Sequence, residues 1–290
     1  MRYSRIRKQN ARKKYAFLIV VVILISCIIY IIFAGTLGKL LSGVISPIVG
    51  KNSEIDSQGR TEDNPTLTLP DNGNEEKITD TIIANTISLY SIQMGAFIDM
   101  KNAEDYSYTN KSLGGAGFIT EDTYYRVLAV GFKSENDAIS VKEQLEEDDI
   151  DSQVYSITSP GITLQITASQ SNVDAIKSAF AIWEENYYLL EDILKRLDRS
   201  QIDALAAQNE IRTIEQLLNN KKSTLENIGK GQDDNPILAG LLQLYKDTVD
   251  SLETIISENP STKVAISSKI KYTYIELMTK YKGYLEQIKG

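Results

Sequence analysis

Residues 89–97 read LYSIQMGAF, and the fold assignment depends on this stretch. Apolar residues alternate with polar or small ones along it, which is typical of a β-strand. The strand pattern ends in Gly-Ala-Phe, and Ala103 follows six residues after the Phe. In residues 125–132, YRVLAVGF, a Gly-Phe pair is followed by Ala138 at the same spacing. We predict that each copy is a strand that ends at its aromatic residue, followed by a helix that packs its alanine against the sheet.

The two copies belong to a run of six predicted elements in the order βαββαβ. This order is that of a small split-βαβ domain with a ferredoxin-like or RNP-like fold, so the predicted fold class is α+β. One more strand is expected at residues 162–166, extending the same sheet. The predicted strands are 89–96, 118–121, 124–130 and 153–157, and the predicted helices are 101–113 and 135–147.

At these positions the chain resembles the sporulation-related repeat family, the SPOR domain. Members open with a strand that ends in V-Q-x-G-A-F and later carry Y-R-V-x-V-G-P-F; residues 92–97 read IQMGAF and residues 125–132 provide the second motif. The pair Val130-Gly131 stands where the family has Gly-Pro. The resemblance covers about a quarter of the chain. It implies binding to peptidoglycan glycan strands stripped of their stem peptides, where the wall is remodelled for division or sporulation.

Strand alternation predicts which residues share a face of the sheet. Ile92 and Met94 are expected to face the helices, and their neighbours an open face. An amide, an aromatic ring and a guanidinium on an open face suit a sugar polymer, because amides bond hydroxyl and acetamido groups and a ring packs on the sugar's C–H surface. A merely solvated face is the alternative, since antiparallel sheets commonly expose one side to water. The predicted glycan-binding residues are Ser91, Gln93, Gly95, Tyr124, Arg126 and Leu128.

The N-terminus predicts a membrane anchor. Residues 1–15 are basic and contain no acid, and residues 16–38 carry no charge. At about 1.5 Å per residue this run spans roughly 30 Å of hydrocarbon, and the basic flank favours the cytoplasm. We therefore predict a single-pass protein of the cell membrane with a cytoplasmic N-terminus and extracytoplasmic domains. A cleaved signal peptide is one alternative, and lipidation of Cys27 within a lipobox-like Leu-Ile-Ser-Cys sequence is another, although the apolar run continues to Phe33.

The rest of the chain divides into three predicted parts. Residues 39–84 are assigned to a disordered linker, because from residue 51 they are largely polar with few apolar residues. Residues 85–168 form the SPOR-like domain. Residues 169–290 contain four amphipathic helices, which predict an all-α helical bundle. Two interpretations stay open: a self-contained core, or a coiled-coil contact with a second copy or with a division or sporulation protein.

Composition excludes several chemistries. The chain has no histidine and one cysteine, so no cofactor or metal site is predicted and zinc amidase chemistry is excluded. A net charge of −8 argues against nucleic acid as a partner. The predicted function is a non-catalytic, membrane-tethered wall-binding protein; the alternatives are a scaffold acting through its helices and a glycan-cleaving enzyme that works with carboxylates alone. The carboxylate candidates for cleavage are Glu184, Glu185, Glu191 and Asp192.

Overall fold

The computed structural model describes residues 64–70, 76–231 and 235–289. The predicted tail, the membrane helix at residues 16–38 and Cys27 lie outside the described residues. Among the helices that are described, none combines the length and apolarity needed to cross a membrane. The described strands are β1 Thr66–Thr68, β2 Lys77–Ala84, β3 Ser88–Phe97, β4 Phe118–Glu121, β5 Tyr125–Phe132, β6 Gln153–Thr158 and β7 Ile162–Ser169. The described helices are α1 Met100–Ser112, α2 Glu135–Glu147, α3 Gln170–Asp198, α4 Ala204–Gly229, α5 Pro236–Glu258 and α6 Lys263–Lys289.

A four-stranded antiparallel sheet in the order β4-β5-β3-β6 carries α1 and α2 on one face. The side chains of Asp99 and Ser134 accept backbone N–H bonds at the first turns of these helices, which satisfies donors that the helix cannot pair. Ala103 and Ala138 are fully buried, as predicted from the repeated spacing. The predicted βαββαβ order and the α+β class are confirmed.

A second sheet, in the order β1-β7-β2, corrects two predictions. β7 pairs antiparallel with β2 and parallel with β1, so it does not extend the first sheet. β1 and β2 lie in the segment assigned to a disordered linker. Leu67 is fully buried and Leu69 is 2% exposed, so isolated leucines in a polar segment become core residues when they meet a distant strand. The polar composition of this segment reflects only its local sequence, so it does not indicate that β1 and β2 pair with a strand far away in the chain.

The helices α3 to α6 form the predicted C-terminal helical bundle, and their apolar stripes meet in one core. An aromatic stack occupies its centre. Trp183 stacks on Tyr281 with ring centroids 4.4 Å apart, and Tyr187 stacks on Tyr274 at the same distance. The Asn235 side chain accepts from the N–H groups of Ile237 and Leu238, which begins α5.

The remaining face of the four-stranded sheet packs against this bundle. Leu89, Phe118 and Leu128 belong to the same continuous core as the helices. Helix α6 covers them: the ring of Phe118 lies 5.2 Å from that of Tyr272, and the Ser268 hydroxyl donates to a loop carbonyl of the first sheet at 2.8 Å. The residues from Glu62 onward therefore form one compact unit in which both sheets and the bundle share a core.

Candidate functional site

Three of the predicted glycan-binding residues lie under the bundle. Ser91 and Leu128 are fully buried, and Gln93 is 7% exposed. The expectation of an open sheet face is therefore wrong for this part of the sheet. Strand alternation places these residues on one face correctly, but it does not reveal that a helix more than a hundred residues later covers that face.

A fourth predicted residue, Gly95, lies on the opposite face. The pairing of β3 with β5 shifts register on both sides of Gln93, and Gly95 then stands opposite Val127. A Cβ atom at Gly95 would lie 2.8 Å from the Phe97 ring and 3.7 Å from the ring of Tyr106 on α1. This irregularity in strand pairing moves the residues after Gln93 to the other face of the sheet. The alternation counted from Ser91 therefore assigns Gly95 to the wrong face.

The remaining predicted residues meet at the end of the sheet where β5 begins. The Arg126 guanidinium donates through Nη1 to Gln93 Oε1 at 2.8 Å and through Nε to Asp122 Oδ2 at 2.8 Å. It lies 5.6 Å from the ring centroid of Tyr124 and 5.3 Å from that of Tyr155. Tyr124 is 42% exposed. We call these five residues the Arg126 cluster.

The turn between β4 and β5 positions the cluster. Asp122 accepts a hydrogen bond from the backbone N–H of Tyr124 at 2.9 Å, and the same carboxylate receives the Arg126 Nε–H and the Tyr155 hydroxyl. The hydrogen bond from Arg126 holds the pKa of Asp122 below its usual value, and the same bond raises the pKa of Arg126. Both groups are thus charged at neutral pH. A carboxylate whose pKa is lowered is a poor general acid, so this geometry suits binding better than proton transfer.

Sequence reasoning missed Asp122 and Tyr155. The signal for Asp122 was its place at the turn, four residues before Arg126. Tyr155 pairs with Ser91 across β3 and β6, so considering both neighbours of β3 would have placed it on the same face. The prediction considered only the neighbour on one side.

Two of the four carboxylates proposed for the catalytic alternative, Glu191 and Asp192, have structural partners. Glu191 is buried, pairs with Lys195 at 2.9 Å and accepts the backbone N–H of Lys133 at 3.1 Å. Asp192 pairs with Arg196 at 2.7 Å. Burial raises the pKa of Glu184, and Glu185 lies on the exposed side of α3. In the described ranges, no group of three or more acidic or cysteine side chains is arranged to hold a metal ion.

Comparison with known proteins identifies the first sheet and its helices. Residues 87–156 match the SPOR domain family, which confirms the prediction from the two motifs. No curated protein and no solved structure matches the chain. SPOR domains are peptidoglycan-binding domains associated with cell division. The matched segment includes all five residues of the Arg126 cluster, so residues 87–156 carry a SPOR domain with the cluster at the open end of its sheet.

Proposed function

We propose that this protein is a non-catalytic, membrane-tethered wall-binding protein whose SPOR domain binds peptidoglycan glycan strands through the Arg126 cluster. The observation that carries the proposal is a guanidinium beside two tyrosine rings at the open end of a domain of a peptidoglycan-binding family. The N-terminal anchor predicted from the sequence would hold the domain next to the wall on the outer side of the membrane.

Each part of the cluster matches a feature of a sugar polymer. The exposed ring of Tyr124 offers an apolar surface to the C–H face of a sugar. The carboxylate of Asp122 supplies acceptors for hydroxyl and acetamido hydrogens, and the buried amide of Gln93 orders the Arg126 guanidinium beside it. Because Arg126 is held by two hydrogen bonds before a ligand arrives, little side-chain entropy remains to be lost on binding.

The layout supports a place of action. The order of an N-terminal apolar stretch, a polar segment, one SPOR domain and a helical region resembles the layout of stage II sporulation protein B. We therefore propose division or sporulation septa as the sites where the protein gathers.

Sedimentation with insoluble peptidoglycan tests this function. Residues 62–290 include the whole compact unit, whereas a fragment limited to residues 85–168 would lack the partner strands of β7 and expose Leu128. We expect more protein to sediment with amidase-stripped peptidoglycan than with intact peptidoglycan. Arg126→Ala should weaken this binding about tenfold, the loss of one charge-assisted contact.

Lys142→Ala is the matched control, because Lys142 lies on α2 and, among the residues that the structure describes, its one ion pair is with Glu146. This variant should sediment like the unmodified protein. Equal binding to both peptidoglycan preparations, or no loss in Arg126→Ala, would contradict the proposal.

The covered sheet face favours a second candidate function. Because α6 packs on the part of the SPOR sheet that contains Leu128, the bundle withdraws much of that face from ligands. A scaffold that acts through its helices, as a homodimer or with a division or sporulation protein, is consistent with this arrangement. Light scattering of residues 62–290 tests the homodimer: a monomer across the micromolar range would exclude it.

A further inference from the structure

A groove of about 770 Å³ lies between helix α1 of the SPOR domain and helices α5 and α6 of the bundle. The Arg126 cluster residues lie outside its lining. Its volume falls within the range of small-ligand sites in proteins, roughly 300–1,000 Å³. The charged side chains of the lining are four carboxylates, Asp247, Asp250, Glu258 and Glu276, and three ammonium groups, Lys111, Lys269 and Lys280. The groove therefore presents both signs of charge to a ligand.

Most of these charges already pair with one another. Lys269 pairs with Glu258. The Lys280 Nζ lies 3.3 Å from a carboxylate oxygen of Glu276 and 3.8 Å from one of Asp247. These contacts account for two of the ammonium groups and three of the carboxylates. One charge of each sign is left over.

The two remaining charges are the Lys111 ammonium on α1 and the Asp250 carboxylate on α5. Within the described part of the chain, neither group makes an ion pair or a hydrogen bond. The Lys111 Nζ lies 4.8 Å from the ring centroid of Tyr272, and an ammonium has three N–H donors, so donors remain for an anion. Burial lowers the pKa of Lys111, and the nearby charge of Lys269 lowers it further. A negative group beside Lys111 would offset both effects.

The separation of the two charges sets the length of a ligand that can reach both. Lys269 lies near Lys111 and pairs with Glu258. Asp250 precedes Glu258 by eight residues on α5, which corresponds to about 12 Å along the helix axis. The cation and the anion thus lie at different levels of the groove. An extended chain advances about 3.3 Å per residue, so three or four residues span this distance.

We propose that this groove binds a short extended peptide with free ends, its terminal carboxylate on Lys111 and its terminal ammonium on Asp250. Such a peptide supplies one group of each sign at the required separation. Each group forms a charge-assisted hydrogen bond, which is stronger than a bond between neutral groups. An anionic ligand would leave Asp250 unpaired, and a cationic ligand would leave Lys111 unpaired. The site is separate from the Arg126 cluster, so the inference goes beyond the proposed function.

Calorimetric titration of residues 62–290 with tetra-L-alanine tests the two contacts separately. The N-acetylated peptide lacks the ammonium, and the C-terminal amide lacks the carboxylate. Each analogue should bind about tenfold more weakly than the zwitterion, the loss of one charge-assisted contact. Asp250→Asn should weaken the zwitterion about tenfold and leave the affinity for the N-acetylated peptide unchanged. Lys111→Gln should weaken the zwitterion equally and leave the affinity for the amide unchanged.

Glu253→Gln on α5 and Lys101→Gln on α1 are the matched controls, because both side chains are exposed on the same two helices and lie outside the groove lining. Both variants should bind the three peptides like the unmodified protein. A second pair of ligands identifies the source of the peptide, because wall stem peptides contain D-residues and protein fragments do not. The pair is L-alanyl-γ-D-glutamyl-L-lysyl-D-alanine and L-alanyl-L-glutamyl-L-lysyl-L-alanine, and tighter binding of either one supports the site.

Three outcomes would overturn the proposal. The first is equal affinity of the unmodified protein for the zwitterion and both analogues. The second is a loss in Asp250→Asn that extends equally to the N-acetylated peptide, since this would indicate a structural effect and not a lost charge contact. The third is no binding of any of these peptides at millimolar concentration. Arg126→Ala should bind tetra-L-alanine normally, so a failure of the glycan contact is distinguishable from a failure of the groove.

Discussion

Replacing Leu128 with alanine tests whether the SPOR sheet and the helical bundle fold as one unit. Leu128 is fully buried between Phe118 and Gln93 on the face that α6 covers. The substitution removes three carbon-sized groups, about 0.8 kcal/mol each, and leaves a cavity that a packed core fills only in part. We expect a loss of about 3 kcal/mol in the free energy of unfolding, within the 2–5 kcal/mol typical of buried leucines.

The single tryptophan makes the assay informative, because Trp183 lies in the bundle and not in the sheet. If the two parts unfold together, the Trp183 fluorescence transition of Leu128→Ala should fall by about 6–12 °C. Leu217→Ala, at a position 46% exposed on α4, is the control and should shift little. A Trp183 transition that stays in place while far-ultraviolet circular dichroism shows an earlier loss of the sheet would refute the shared core.

Two further predictions concern the core. Burial raises the pKa of Tyr187, Tyr245 and Tyr284 above 10.0. Above about pH 10 the unfolded chain therefore loses these protons first, so the free energy of unfolding should fall with rising pH there and stay level below that pH. Urea midpoints at pH 8 and pH 11 measure this change, and equal midpoints would contradict the prediction. Gly131→Ala would place a Cβ atom 2.7 Å from the buried Leu89 side chain. Chemical denaturation should therefore show a loss of about 1–3 kcal/mol in the free energy of unfolding. An unchanged denaturation midpoint would contradict this prediction, because it would show that the site has room for the methyl group.

The sequence is sufficient for the elements whose signals are local. The SPOR strands and helices were predicted to within about two residues, because strand alternation and the repeated alanine spacing are local signals. The four helices of the bundle were predicted for the same reason. Asn235 before Pro236, for example, marks the observed start of α5.

Features that depend on distant contacts could not be predicted in this way. Thr66 of β1 pairs with Gln165 of β7, almost a hundred residues later, and nothing near residue 66 indicates that partner. The candidate site shows the same division. Gln93, Tyr124 and Arg126 meet as the alternation predicts, whereas the burial of Leu128 results from a helix after residue 260 and the position of Gly95 from an irregularity in strand pairing.

The proposed contact between Arg126 and glycan can be tested directly by nuclear magnetic resonance of arginine Nε–H groups. In residues 62–290 the other arginines are Arg196, Arg199 and Arg212, so the spectrum is simple, and the Arg126 Nε–H is ordered by its bond to Asp122. On titration with soluble peptide-free glycan, the Arg126 signal should move and saturate while the other three stay in place. An Arg126 signal that does not move at saturating glycan would contradict the proposal that this cluster binds the wall.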